Sequence, residues 1–171
     1  MTQFSIKNKI KKGLVSVPRS FFLFKLGPIF RKLKKKPLPV AEKVLVHIGC
    51  GEFYDKRYIN IDTRPGWHID YVESIENCQK LFPPNSVDLI YACHVLEHVS
   101  HLKLLEILKG LWKILKKEGI LRLSVPDFDL ITKIYNERKE IKDITPPLMG
   151  GQGYAGNFHY SVFNENYLKE L

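Results

Sequence analysis

From Val44 onward the chain repeats one unit, a short β-branched or apolar run that stops abruptly at a glycine, an acid or a histidine. Residues 44–48 run into Gly49-Cys50-Gly51 and read as a buried strand entering a tight turn. A second strand is expected over residues 58–61, ending at Asp62, and a third, weaker one over 68–72. Residues 87–92 are almost continuously apolar, as suits a central parallel strand covered on both faces. Ser100 as N-cap, a face of Leu104, Leu105, Leu108, Leu111, Trp112 and Leu115, and a stop at Gly119 predict a helix. A fifth strand follows over 120–125. Asp127 is placed to cap a helix with Phe128, Ile131, Ile134 and Tyr135 on its apolar side, and a last helix starts near Asn164. Strands alternating with helices imply an α/β, doubly wound, Rossmann-like parallel sheet of about five strands, with ligands outside the carboxyl ends of the strands. Residues 49–51, Asp62, Glu73 and 93–98 all occupy such ends.

A length of 171 residues gives room for one domain and a tail, and 44% hydrophobic with 26% charged residues excludes a disordered, collagenous or fully membrane-embedded chain. Cys50, Cys78 and Cys93 are an odd number at unrelated spacings, so free thiols in a reducing cytoplasm are expected rather than disulfides or a paired zinc site. The net charge of +9 is not spread evenly: residues 1–43 hold twelve Lys or Arg and one acid, a net +11, whereas 44–171 hold fifteen bases and seventeen acids, a net −2. Residues 1–43 are therefore read as a basic amphipathic leader and 44–171 as the folded domain. Ile6, Ile10, Leu14 and Val17 recur at helical spacing among Lys7, Lys9, Lys11 and Lys12 until Pro18. The Phe-rich and Leu-rich stretch 21–30 carries Lys25 and Pro28, far short of the roughly 20 apolar residues of a membrane span. A basic tract follows it instead of a small-residue cleavage site, which argues against export. Residues 1–36 are expected either to lie on an anionic membrane, making the protein cytoplasmic and peripheral on the inner face, or to form a solvated tail folded back on the domain. Nucleic acid is disfavoured as a partner, because the leader has no recognisable module and the body no dense basic face.

A G-x-G after a strand lets backbone approach a ligand, but alone it is shared by many nucleotide sites. An acid at the end of the next strand strengthens it, since a carboxylate can accept from both ribose hydroxyls, and Asp62 is placed for that. The alternative for Asp62 is a turn residue of Asp-Thr-Arg-Pro-Gly. No third glycine follows to cradle a pyrophosphate, and Glu52 and Asp55 would repel one. A ligand with a ribose and no phosphate fits these residues, a description met by S-adenosylmethionine (SAM).

His-Ile-Gly-Cys-Gly (47–51), Asn-Ile-Asp (60–62), Ser-Val-Asp-Leu-Ile-Tyr-Ala-Cys-His-Val-Leu-Glu-His-Val (86–99) and Leu-Lys-Lys-Glu-Gly-Ile-Leu-Arg-Leu-Ser-Val-Pro-Asp (115–127) resemble successive motifs of class I SAM-dependent methyltransferases. The resemblance covers residues 44–171 and is nearest to a bacterial branch associated with surface-polysaccharide genes. It implies that Gly49 and Gly51 line the methionine part of SAM, that Asp62 holds the ribose and that Glu73 with Ile75 flanks the adenine. His47, Cys50 and Cys93, within the same motifs, complete the implied cofactor set. The implied reaction is methyl transfer to an oxygen or nitrogen of a small-molecule or saccharide acceptor. The chain departs from the family pattern twice. Only ten residues separate Gly51 from Asp62, so the usual first helix is expected to be missing or vestigial. The C-terminal antiparallel hairpin is expected to be absent, leaving the fifth strand as an edge open to self-association. The competing reading is a truncated, non-catalytic SAM-binding domain or pseudoenzyme, peripherally attached to a membrane.

His94-Val-Leu-Glu97-His98 spells the inverted zincin motif H-x-x-E-H, which must lie within a helix; here it follows directly on a strand, so zinc hydrolysis is disfavoured. Some relatives, notably small-RNA 2′-O-methyltransferases, carry Glu-x-x-Glu-His at this place and a later His, and bind a divalent ion there. That resemblance offers His94, Glu97, His98 and His159 as a metal set shifted toward nitrogen ligands and softer metals. Without metal, His94, His98 and His159 are the candidates to take a proton from the acceptor, because imidazole titrates near neutral pH. Gly150, Gly151, Gly153 and Gly156, in a segment with Pro146 and Pro147, are expected to form a flap beside the site or a plain surface loop.

Overall fold

The computed structural model describes residues 43–171; the leader up to residue 42 lies outside these residues. Five parallel strands, β1 (Leu45–Ile48), β2 (Ile59–Asp62), β3 (Tyr71–Val72), β4 (Val87–Cys93) and β5 (Leu115–Ser124), form one sheet in the order β3-β2-β1-β4-β5. The chain steps outward from β1 to β2 and β3, then crosses back to add β4 and β5 on the other side. The order therefore reverses between β1 and β4, and the crevice outside their carboxyl ends is the topological switch point at which such sheets bind ligands. The helices are α1 (Ile75–Cys78), α2 (Leu104–Ile114), α3 (Phe128–Arg138), α4 (Ile141–Met149) and α5 (Glu165–Glu170). The sheet and its helices have the Rossmann-like α/β architecture expected.

No helix lies between β1 and β2, only turns, as the ten-residue spacing predicts. Asn60, fully buried in β2, holds this short connection by donating its amide to the carbonyls of Asp55 (3.0 Å) and Tyr58 (2.9 Å). The third strand is shorter than predicted: residues 68–70 are not strand. Asp70 explains this, since its carboxylate accepts the Asn60 N–H at 3.0 Å, so the ladder proper starts only at Tyr71.

The helix expected to run to Gly119 stops at Ile114, and Leu115 pairs at once with Val87. Residues 116–119 bulge before Ile120 pairs with Leu89. Lys116 clamps the bulge by ion-pairing with Asp88 at 2.7 Å, and the N–H groups of Asn85 and Ser86 meet the last helical carbonyls, those of Lys113 and Ile114. The buried face of α2 is Leu104, Ile107, Leu111 and Ile114; of the predicted face Leu104, Leu111 and the following Leu115 are buried, whereas Leu105 and Trp112 face solvent, Trp112 at 78% exposure. Apolar residues cover about half the circumference of this helix, and its seating on the sheet selects which part of that arc is buried. Ser100 precedes a 3-10 turn, His101–Lys103, and its hydroxyl makes no capping bond.

Asp127 caps α3 as expected, accepting the Asp129 N–H, and α5 starts where expected, with Asn164 accepting the Tyr167 N–H. Of the apolar side predicted for α3, only Ile131 is buried. Pro146 and Pro147 lie inside α4, not in the glycine-rich segment. The hydroxyl of Thr145 donates to the Ile141 carbonyl and the Gly150 N–H to that of Pro146, so the helix closes without the two missing proline donors. The core lies between the sheet and α2, with Phe163, 1% exposed, sealing the end near α5. Among the described residues no helix is long and apolar enough to cross a membrane.

Candidate functional site

A cavity of about 930 Å³ opens at the carboxyl ends of β1, β2, β3 and β4. Its floor is the turn after β1, where Gly49 (φ +66°) and Gly51 (φ +60°) both adopt the left-handed backbone. The two glycines are required for different reasons. A Cβ on Gly49 would overlap Val95 Cγ2, so this residue lets the loop after β4 close against the turn. A Cβ on Gly51 would meet only Arg64 Nη2, 3.6 Å away, so its open face belongs to the cavity.

β2 holds the turn. The carbonyl of Ile61 accepts the N–H groups of Gly49 (2.8 Å) and Cys50 (3.2 Å), and Asp62 Oδ2 accepts that of Gly51 (2.8 Å). Asp62 Oδ1 accepts the Arg64 N–H at 2.8 Å, so this carboxylate, 6% exposed, braces the turn as well as facing the cavity. Oδ1 also receives a long bond from Arg64 Nε at 3.4 Å, and Oδ2 keeps one lone pair. His68 donates Nε2–H to the Gly51 carbonyl at 2.8 Å from the other side.

The residues expected to form a cofactor set, His47, Gly49, Cys50, Gly51, Asp62, Glu73, Ile75 and Cys93, all line this cavity, as do His94 and His98. His47 packs its ring against Tyr91 at 5.0 Å; burial pushes its proton affinity below the usual imidazole value, while Asp62 and Asp55 pull the other way. Burial pushes the Cys50 thiol up to about 12, with the Asp62 charge adding to it, which leaves this sulfur protonated and inert. Arg64, Tyr154 and Asn157 also line the cavity and were not singled out in the sequence. Arg64 stands two residues after the strand-end acid, a usable signal; Tyr154 comes from the glycine-rich segment, whose approach to the cavity no local pattern announces.

The H-x-x-E-H segment is not one helix. His94 follows β4 with φ +54°, and only Leu96–His98 form a 3-10 turn, so the geometry of a zincin is absent. His94 donates Nδ1–H to Glu97 Oε1 at 2.9 Å. Glu97 is 1% exposed, and its Oε2 has no hydrogen-bond partner among the described residues. The returning segment before α5 is pinned here, with the N–H groups of Tyr160 and Ser161 bonded to the Glu97 carbonyl. It sets the His159 ring 4.8 Å from that of His98. Both imidazoles donate Nδ1–H to a carbonyl at 3.0 Å, His98 to Phe158 and His159 to Pro147, which leaves both Nε2 lone pairs free. Glu97, His98 and His159 thus offer three ligand atoms within 4.8 Å of one another. His94 is outside that group, and neither Glu97 nor His159 lines the cavity. Burial lowers the proton affinity of His159 against the pull of Glu97.

Residues 46–123 match the methyltransferase domain family. The match runs from β1 to the end of β5 and takes in the turn, Asp62, Glu73 and the Glu97 loop, and it supports a class I SAM-dependent methyltransferase family for this chain. No curated protein matches the chain. A methyltransferase domain implies SAM as its usual cofactor, and the non-catalytic alternative is not favoured. The cavity fits that cofactor on its own terms: a glycine face that any Cβ would fill, acids at the ends of two adjacent strands, and no phosphate cradle.

Proposed function

We propose that the chain uses SAM to methylate an oxygen or nitrogen of a small-molecule or saccharide acceptor. The observation that carries this reading is the cavity at the sheet's switch point, whose volume of about 930 Å³ is at the upper end of the ~300–1,000 Å³ of small-molecule sites and suits two ligands side by side. Asp62 would hold the ribose through the remaining lone pair of Oδ2, Glu73 and Ile75 the adenine, and Gly49 and Gly51 the amino-acid end. SAM brings a methyl group already activated on a sulfonium, so the protein's share is alignment and acceptance of the acceptor's proton. His98 and His94, on the cavity wall, are the candidate bases, with His159 acting behind His98. Isothermal titration with SAM and its demethylated product, S-adenosylhomocysteine, tests the reading. Saturable heat with either supports it, and no heat at millimolar ligand overturns it.

A second reading is favoured by the unpartnered Oε2 of Glu97: a divalent cation held by Glu97, His98 and His159, beside the acceptor end of the cavity. The Nδ1–H bonds of both histidines are of the kind that orient metal-bound imidazoles. Titration with Mn²⁺ and Zn²⁺ tests it. Binding that falls at least tenfold in Glu97→Gln supports the site, and no binding by the parent protein overturns it. The basic leader, residues 1–36, is proposed as a contact to anionic membrane.

A further inference from the structure

The turn that floors the cavity keeps none of its first three amide donors for a ligand. Those of Gly49 and Cys50 go to Ile61, and that of Gly51 goes to Asp62. Nor does a helix start there, because residues 49–58 form only turns, so no helix N-terminus supplies positive potential. An anionic group lying against Gly49, Cys50 and Gly51 finds no amide donor there and is met by a side chain.

Two permanently cationic side chains line the cavity, Arg57 and Arg64. Arg57 is already engaged: its Nε and Nη2 grip the Asp55 carboxylate at 3.0 and 2.6 Å. Arg64 is engaged at one nitrogen only: its Nε donates to Asp62 Oδ1 at a long 3.4 Å, and its two Nη groups make no hydrogen bond among the described residues. Nη2 sits over Gly51, and the guanidinium carbon is 5.1 Å from the centre of the Tyr154 ring, within reach of a cation–π contact. A guanidinium with both Nη groups unused matches a carboxylate bidentately.

We propose that Arg64 receives the α-carboxylate of SAM, with Tyr154 holding the guanidinium in register, so that one side chain replaces the backbone donors that β2 has consumed. This rests on the SAM reading above. It explains why residue 64 follows so closely on Asp62: the same short turn, through the Arg64 N–H, aims both the acid and the base at one ligand.

The test compares two ligands in direct binding: S-adenosylhomocysteine, which carries the carboxylate, and 5′-methylthioadenosine, which shares the nucleoside and thioether but lacks the amino acid. Arg64→Ala is expected to weaken S-adenosylhomocysteine by about 10- to 150-fold, the loss of a charge-assisted bond, and to leave methylthioadenosine within twofold. Arg64→Lys, which keeps the charge and loses the fork, should recover part of that affinity. Equal loss for both ligands, or no loss for S-adenosylhomocysteine, overturns the assignment to Arg64 while leaving the SAM site intact. If the parent protein binds neither ligand, the SAM reading itself fails and this assignment with it. A thermal melt of each variant confirms that the fold is retained.

Discussion

Asp62 has two jobs in this structure, and removing it should expose the first before the second is assayed. Its oxygens accept the N–H groups of Gly51 and Arg64, each at 2.8 Å, from a position 6% exposed to solvent. Asp62→Ala leaves both donors facing a void. Hydrogen bonds to a charged acceptor contribute about 1.5–3 kcal/mol each, and because both are only partly buried the lower figure applies, for a loss of about 3 kcal/mol. For a domain of this size that is a fall in Tm of roughly 10 °C. Asp62→Asn keeps one acceptor oxygen and turns an NH₂ toward the other donor, so it should lose about half as much. Circular dichroism melts and urea titrations of the three proteins measure this directly. A shift below about 2 °C for Asp62→Ala would refute the reasoning, because the turn would then hold its conformation without the carboxylate. The affinity for S-adenosylhomocysteine should be read below the melting range of each variant, where a further loss of at least about tenfold is expected if the ribose also contacts this carboxylate.

Leu111, fully buried, and Trp112, 78% exposed, are neighbours on α2 with opposite fates: Leu111→Ala should cost about 2–5 kcal/mol in denaturant titration and Trp112→Ala under about 0.5 kcal/mol, and the reverse order would refute the observed helix face. Burial lowers the proton affinity of His159 and His47, so the unfolded chain binds more protons below the usual imidazole value of 6.5. Stability should therefore be fully present above about pH 6.5 and fall as the solution is acidified toward pH 5, with a smaller fall in His159→Gln; urea midpoints that rise on acidification would refute this. Deleting residues 1–36, which carry eleven Lys or Arg and no acid, should abolish sedimentation with anionic liposomes, and added salt should weaken it for the full chain. If the full chain ignores such liposomes at low salt, the proposed membrane contact is wrong.

What the sequence determined by itself is what local bonding decides. The strands β1, β2 and β4 end at a glycine, an acid and a histidine because chain direction must change there, and those residue types show it without any knowledge of neighbours. Asp127 and Asn164 cap their helices with bonds to residues two or three positions away, and the missing helix between β1 and β2 follows from a count of residues. The cofactor candidates at the strand ends came to one cavity for the same reason, since a parallel sheet brings those ends together. The tertiary structure alone decided the rest. Which part of the apolar half of α2 is core depends on the sheet it meets, since Leu105 and Trp112 on one edge of that half are as apolar as Ile107 and Ile114 on the other. The end of that helix at Ile114 rather than Gly119 depends on Lys116 finding Asp88, 28 residues away. The two-residue length of β3 depends on the Asp70 side chain standing where a backbone carbonyl would. The free lone pairs of His98 and His159 depend on carbonyls 60 and 12 residues distant. Arg64 matters because β2 has taken the first three amides of the turn beside it, a fact of hydrogen bonding between strands that no reading along the chain contains.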